Sequence, residues 1–223
     1  CSREWSSDVC SSDLKLSTIY NAVDLARFHP APYEADAAGR GPLRMVVVAN
    51  YHRKKNMLRV ARAVLAFRRR GGQVTVDWFG ATATDPGPLQ EARDFVATHG
   101  LDDSVRFHPP TRLIEKEYRA CDVVGLFSEY EGLPNAVCEA MASGKPVIMS
   151  DVCDARELID DGVSGILCDP LDPESMADAL GRFASLTVEA RREMGRVARV
   201  RAEALFAPER VLDRYEQVLG TPS

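Results

Sequence analysis

Residues 121–151 read CDVVGLFSEYEGLPNAVCEAMASGKPVIMSD. CDVVGLFS, ending at Ser128, is a short apolar run rich in strand formers, and KPVIMSD, residues 145–151, is a second. Between them the loop EYEGL leads into PNAVCEAMAS, which reads as a helix. Pro134 suits its first position, where a missing N–H costs nothing, and Gly144 suits its stop. Strand, helix and strand in this succession make a βαβ unit, whose crossover joins parallel strands. The stretch therefore sets an α/β fold.

The same alternation extends in both directions. Upstream, RMVVVAN (44–50) reads as a buried strand, and a helix from about Asn56 to Arg70 repeats Leu58, Ala61, Val64, Leu65 and Phe67 at helical spacing until Gly71 and Gly72 stop it. QVTVDWFG (73–80) is the next strand, PLQEARDFVATHG a helix ending at Gly100, SVRFHP a short strand and Thr111 to Arg119 a helix. Downstream come a short helix ARELIDDG, a strand SGILCD and two or three helices between Pro173 and Leu219. From Leu43 onward the pattern predicts a Rossmann-like, mostly parallel sheet with helices on both faces.

With 223 residues, 45% of them hydrophobic, the chain can build a sizeable core. At about 150 residues per domain it holds one α/β domain with extensions, or part of a larger enzyme, and is short for two full domains. Its 28 Lys and Arg against 33 Asp and Glu leave a net charge of −5, which argues against a nucleic-acid partner, since phosphate neutralisation needs a cationic footprint. The longest apolar runs, Met45–Ala49 and Ala63–Phe67, fall far short of the ~20 residues of a membrane-spanning helix.

Residues 1–14, CSREWSSDVCSSDL, show no periodicity, and Trp5 to Leu14 resembles the in-frame translation of a sequencing-library adapter, which would leave the natural chain incomplete upstream. The alternative is a disordered natural N-terminus; a signal peptide is excluded by the lack of a basic start and an apolar segment. Beyond it, Cys121, Cys138, Cys153 and Cys168 form no CxxC pair, and three of them lie among apolar residues, as structural thiols of a reducing compartment do. His29, His52, His99 and His108 are scattered without metal-ligand spacing, and only His52, beside a basic run, has a notable neighbourhood. No metal site is expected.

The chemistry concentrates in the opening stretch. PNAVCEAMAS carries one charge, Glu139, while Ala136, Val137, Cys138, Ala140, Met141 and Ala142 cover its faces. A carboxylate buried without partners is costly, so Glu139 must find donors, rise in pKa or face a cleft where a ligand supplies hydroxyls. Glu131 lies eight residues earlier, followed by Gly132, which permits close approach of a ligand to the backbone. Two carboxylates thus flank a helix N-terminus suited to an anionic phosphate, the layout that a nucleotide sugar would fit. The competing explanation is a capping carboxylate at Glu131 and a partly exposed Glu139. Other phosphate motifs fail: SGKP at Ser143–Pro146 lacks the first glycine and the hydroxyl residue of a P-loop, and no GxGxxG occurs.

YEGLPNAVCEAMASGKPVI resembles the Glu-x7-Glu signature of retaining glycosyltransferases of the GT-B fold, in particular glycosyltransferase family 4. The resemblance continues through IYNAVDLARFHP (19–30), Lys55-Asn56 and ELIDDGVSGILCDPLDPESMADAL, covering about residues 16–219. It implies a linker at 15–42, a nucleotide-sugar-binding domain at 43–219 and an absent N-terminal acceptor domain. It assigns catalytic roles to Glu131, at the donor sugar hydroxyls, and to Lys55, at the diphosphate. It places Asn50, Gly132, Leu133, Pro134, Asn135 and Glu139 around the donor, with Glu139 on the ribose. Asn50 stands where the family carries Arg, after Ala49 in place of Gly, so either Arg53 or Lys54 substitutes or the phosphate grip is weaker. The implied activity is transfer from a nucleotide sugar, a substrate and not a cofactor, to a saccharide or lipid-linked acceptor, in the cytoplasm, with peripheral association at the inner membrane face as the further option. A GT-B epimerase or phosphorylase, a non-catalytic nucleotide-binding domain and a plain interaction module are the alternatives. On the last helix, Val211, Leu212, Tyr215 and Val218 form an apolar face expected to be exposed.

Overall fold

The computed structural model describes residues 18–31, 41–82 and 84–220. The reading of residues 1–14 and part of the 15–42 linker therefore lie outside the described residues. Six strands form one sheet: β1 (Leu43–Val48), β2 (Val74–Phe79), β3 (Val105–His108), β4 (Val123–Leu126), β5 (Val147–Ser150) and β6 (Gly165–Cys168). Between and after them run α1 (Met57–Arg69), α2 (Gly87–Thr98), α3 (Ile114–Ala120), α4 (Asn135–Ala142), α5 (Ala155–Leu158), α6 (Pro173–Ala184), α7 (Val188–Phe206) and α8 (Pro208–Leu219). Every named strand pair is parallel, in the order β3-β2-β1-β4-β5-β6.

Why these runs become strands follows from where they sit. β4 and β5 are buried at every position, which only a strand covered on both faces can be, and their sequences VVGL and VIMS are accordingly almost unbroken apolar runs. β2, toward the sheet edge, alternates buried and half-buried residues. α1 packs against α2 and α6, whereas α4 packs against α7. The chain builds outward from β1 to β3, then returns to the other side of β1 to begin β4. The carboxyl ends of β1 and β4 therefore part where the winding reverses, and a crevice opens there.

α4 is held at both ends. Val137, Cys138, Ala140, Met141 and Ala142 are all buried. Pro134 is not the first helical residue but the cap before it, with ψ 88°, because the chain is still turning out of the Glu131 loop at that point. Gly144 has φ +68°, a conformation that favours glycine, and a Cβ there would also press on Pro30 at 3.0 Å. α7 crosses this end closely: a Cβ on Gly195 would lie 2.2 Å from the Gly144 carbonyl oxygen. Arg199 Nη1 donates to the Phe28 carbonyl at 2.8 Å and to the Ala142 carbonyl, joining α7, the lead-in segment and the end of α4.

Cys121, Cys138 and Cys168 are buried, and burial pushes their thiols up to about 12, so they stay protonated. Cys153 is exposed. On α8, Leu212, Tyr215 and Val218 are exposed as expected, but Val211 is buried because α8 folds back on α7. Among the described residues, no helix is long and apolar enough to cross a membrane.

Gly195→Ala should cost about 1–3 kcal/mol of unfolding free energy by overpacking the α4–α7 contact. Urea unfolding checks this; an unchanged midpoint would mean that α7 does not fix α4.

Candidate active site

The chain leaves β1 at Val48 and passes through Ala49 and Asn50 beside the end of β2. The approach is so close that a Cβ on Gly80 would lie 2.1 Å from the Ala49 carbonyl oxygen. Here, at the carboxyl edge, is a cavity of about 360 Å³. Asn50, Lys55, Asn135, Ala136 and Glu139 line it, together with Phe79, Gly80, Pro110, Thr111 and Ile114. The amino end of α4, where helical N–H groups lack intrahelical acceptors, borders it through Asn135 and Ala136.

Lys55 reaches the site because of the residue after it. Arg53–Lys55 form one 3-10 turn, capped by His52, whose Nδ1 accepts from Lys54 N at 3.4 Å. Asn56 then adopts the left-handed conformation, φ 65°, which asparagine tolerates better than most residues. Its buried Nδ2 donates to the Phe127 carbonyl at 2.7 Å and to the Pro170 carbonyl at 3.0 Å, pinning the turn to the end of β4. Lys55 Nζ pairs with Glu131 Oε1, and Ser128 donates to the same oxygen. Both members of the ion pair are mostly withdrawn from solvent, at 16% and 12% side-chain exposure, so their attraction is screened far less than at an open surface.

The predicted residues separate into two groups. Asn50, Lys55, Asn135 and Glu139 share the cavity; Glu131, Gly132, Leu133 and Pro134 stand outside its lining, with Glu131 joined to it through Lys55. Neither substitute for the missing arginine points there. Arg53 turns to Glu91 at 3.4 Å, and Lys54 lies over the exposed Tyr130 ring at 4.5 Å, because the 3-10 turn sends successive side chains in different directions. Asn50 Oδ1 accepts from Ala81 N at 3.2 Å, which orients the amide and leaves its two Nδ2 protons for other acceptors.

Glu139 is the residue whose acidity the fold alters. Burial raises its pKa above the ordinary 4.5, opposed by a hydrogen bond from Tyr118 and by the charge of Arg27. Sequence reasoning missed both, since α3 and the segment before β1 meet α4 only in three dimensions. Arg27 is itself tied to Glu115 at 3.0 Å and to the Arg112 carbonyl at 2.7 Å, and Asn21 donates to Asn135 Oδ1 at 3.3 Å. Phe79, Pro110, Thr111 and Ile114 were missed too. Their sequence signal is only that they end or follow strands or start a helix, which is where a parallel sheet places its ligand contacts. Among the described residues, no cluster of three His, Cys, Asp or Glu could hold a metal ion.

The family profile of glycosyl transferases group 1 matches residues 42–185. A D-inositol 3-phosphate glycosyltransferase of Saccharomonospora viridis is 33% identical over 217 residues, covering 91% of this chain and 50% of that enzyme. The chain spans about half the length of the curated relatives it matches first. Among solved structures, Anabaena Alr3699/HepE in complex with UDP and glucose superposes with a TM-score of 0.80 at 21% identity, over 92% of this chain and 56% of that one. The C-terminal domain of the group 1 family protein LpcC from Francisella tularensis is covered over its full length, 100%, and over 84% of this chain, with a TM-score of 0.73 at 22% identity. At such identities the structural likeness is one of fold.

The raised pKa of Glu139 has a sign that stability measurements read. The folded chain holds this proton more tightly than the unfolded one, so the group's contribution to stability is present at low pH and is lost as pH rises through the raised value. Glu139→Gln, which stays neutral, should be more stable than wild type at pH 7, and the two should converge as pH falls below the ordinary 4.5. Urea unfolding over that range is the measurement, and a variant less stable at pH 7 would contradict the expectation.

Proposed function

We propose, from the premise that this chain belongs to the glycosyl transferases group 1 family, that its cavity binds a nucleoside diphosphate sugar as the donor for glycosyl transfer. The fold is the Rossmann-like half of a GT-B enzyme, and its chemistry is that of a transferase. The observation that carries the donor reading is the convergence of Lys55, Asn50, Asn135 and Glu139 on one cavity at the switch point of the sheet. There a cation, amide donors and a helix N-terminus suit a diphosphate, and a carboxylate suits ribose hydroxyls.

In this reading Lys55 neutralises the charge that develops on the departing diphosphate. Glu131 accepts hydrogen bonds from the donor sugar, the backbone of Gly132 and Leu133 faces the phosphates, and Pro134 sets the angle at which α4 begins. Retention of the anomeric configuration comes from the resemblance of the Glu131–Glu139 segment to the retaining family. The cationic role falls to Lys55 and to the amino end of α4, so no metal ion is called for. The Anabaena protein solved with UDP and glucose supports a nucleotide-sugar ligand for this fold. The half-length match and the Francisella C-terminal domain support the reading of one half of a longer enzyme; in this proposal the acceptor, a saccharide or a lipid-linked sugar, sits on a separate N-terminal domain. Asn50 favours a second reading, a domain that binds the nucleotide without turning it over.

A thermal-shift titration of the 223-residue chain with UDP, GDP, ADP and their sugars tests the proposal. One base should stabilise selectively, by about 2.7 kcal/mol at a hundredfold excess over its Kd. Glu139→Gln should weaken that binding although it stabilises the fold. Lys55→Ala should cost about 1.5–3 kcal/mol of diphosphate affinity and spare the bare nucleoside. A folded chain that responds to none of the nucleotides would overturn the donor reading.

A further inference from the structure

Tyr118, on α3, is fully buried, its ring tilted against Phe28 with 6.1 Å between ring centroids. Its hydroxyl lies 3.3 Å from Glu139 Oε2 and 3.4 Å from the Ala136 carbonyl oxygen. Both partners line the cavity, and Tyr118 itself does not. A phenol has one proton to give, and of these two acceptors the carboxylate is the stronger, so the hydrogen bond goes to Glu139. Glu139 Oε1 shows no hydrogen bond among the described residues. We propose that Tyr118 is a positioning residue for Glu139: by holding Oε2 from behind the cavity wall, it presents Oε1 to the vicinal hydroxyls of a bound ribose. The inference rests on the donor reading above.

A tyrosine suits this task where a cation would not. Arginine or lysine behind Glu139 would form an ion pair with the carboxylate and compete with the ligand for it. Tyr118 donates without adding charge, and burial together with the nearby Glu139 carboxylate holds its own pKa well above the ordinary 10, so it keeps its proton. The other groups that face Glu139 leave this role open. Arg27, from the lead-in segment, acts only through its field, being bound to Glu115 and the Arg112 carbonyl. Cys138, on α4, stays protonated. Lys55, also on the cavity lining, pairs with Glu131.

Tyr118→Phe in the full chain removes the hydroxyl and keeps the ring against Phe28. Calorimetry would compare the nucleoside diphosphate that the wild type prefers with its 2′,3′-dideoxy counterpart over a pH series. Affinity for the ribonucleotide should fall about three- to tenfold, the scale of one hydrogen bond, while the dideoxy form is bound as before. Without its donor Glu139 protonates more readily, so the acidic fall-off in ribonucleotide binding should move to higher pH. Equal losses for both nucleotides, or an unmoved fall-off, would overturn the positioning role and reduce Tyr118 to packing. If the Tyr118→Phe chain loses its unfolding transition, 3-fluorotyrosine at 118 serves instead. It keeps the ring and strengthens the donor, so the fall-off must then move to lower pH. A wild type that binds neither nucleotide sinks the donor reading; a wild type that binds the ribonucleotide, with a variant indistinguishable from it, sinks the inference about Tyr118 alone.

Discussion

A carboxylate withdrawn from water is costly unless the fold supplies donors, and Glu139, half-buried on α4 at the cavity, imposes that condition in part. α4 is otherwise a helix made for burial. The structure instead accommodates the acid. α3 brings Tyr118 to it, the segment before β1 brings the field of Arg27, and Oε1 has no hydrogen bond among the described residues. That α7 clamps the far end of α4 through Gly195 and Arg199 follows from the same need, since a helix free to slide would carry Glu139 away from its donor.

The parallel sheet decides what else can meet Glu139. Because all six strands run the same way, their carboxyl ends lie on one edge, and only between β1 and β4 does the winding reverse and leave room. The loop after β1 supplies Asn50 and Lys55, and the loop after β4 supplies Glu131 and the start of α4. Asn56 ties the two loops together by donating across the gap to the Phe127 carbonyl. Lys55 and Glu131 therefore meet as a consequence of strand order, although 76 positions separate them in the chain.

The α/β class and nearly every element were legible in the sequence, because strands buried on both faces must be continuous apolar runs and α4 had to be bounded by Pro134 and Gly144. Glu139 was legible for the opposite reason, as the one residue that breaks its helix's pattern. What escaped was set by long-range geometry. Nothing in the spacing of EKEYRAC shows that the hydroxyl of Tyr118 points at a helix 21 positions away. Nor does HRKK show that the side chains of Arg53 and Lys54 diverge from that of Lys55, since a 3-10 turn and a left-handed Asn56 aim consecutive residues in different directions.

Asn50 then sets the electrostatic character of the site. Its amide is oriented by the Ala81 N–H, which leaves two neutral donors at the position where the resemblance implies an arginine. Lys55 is already paired with Glu131, so a phosphate must compete with that carboxylate for the ammonium. In the donor reading proposed above, the attraction available to a diphosphate is divided among one shared cation, an amide and the amino end of α4, each weaker than an unpaired guanidinium in a fork-shaped contact. In the same reading, the carboxylate of Glu139 and the apolar side chains of Phe79, Pro110 and Ile114, which line the same cavity, remain for the nucleoside part of the ligand, so the orientation of that carboxylate carries weight.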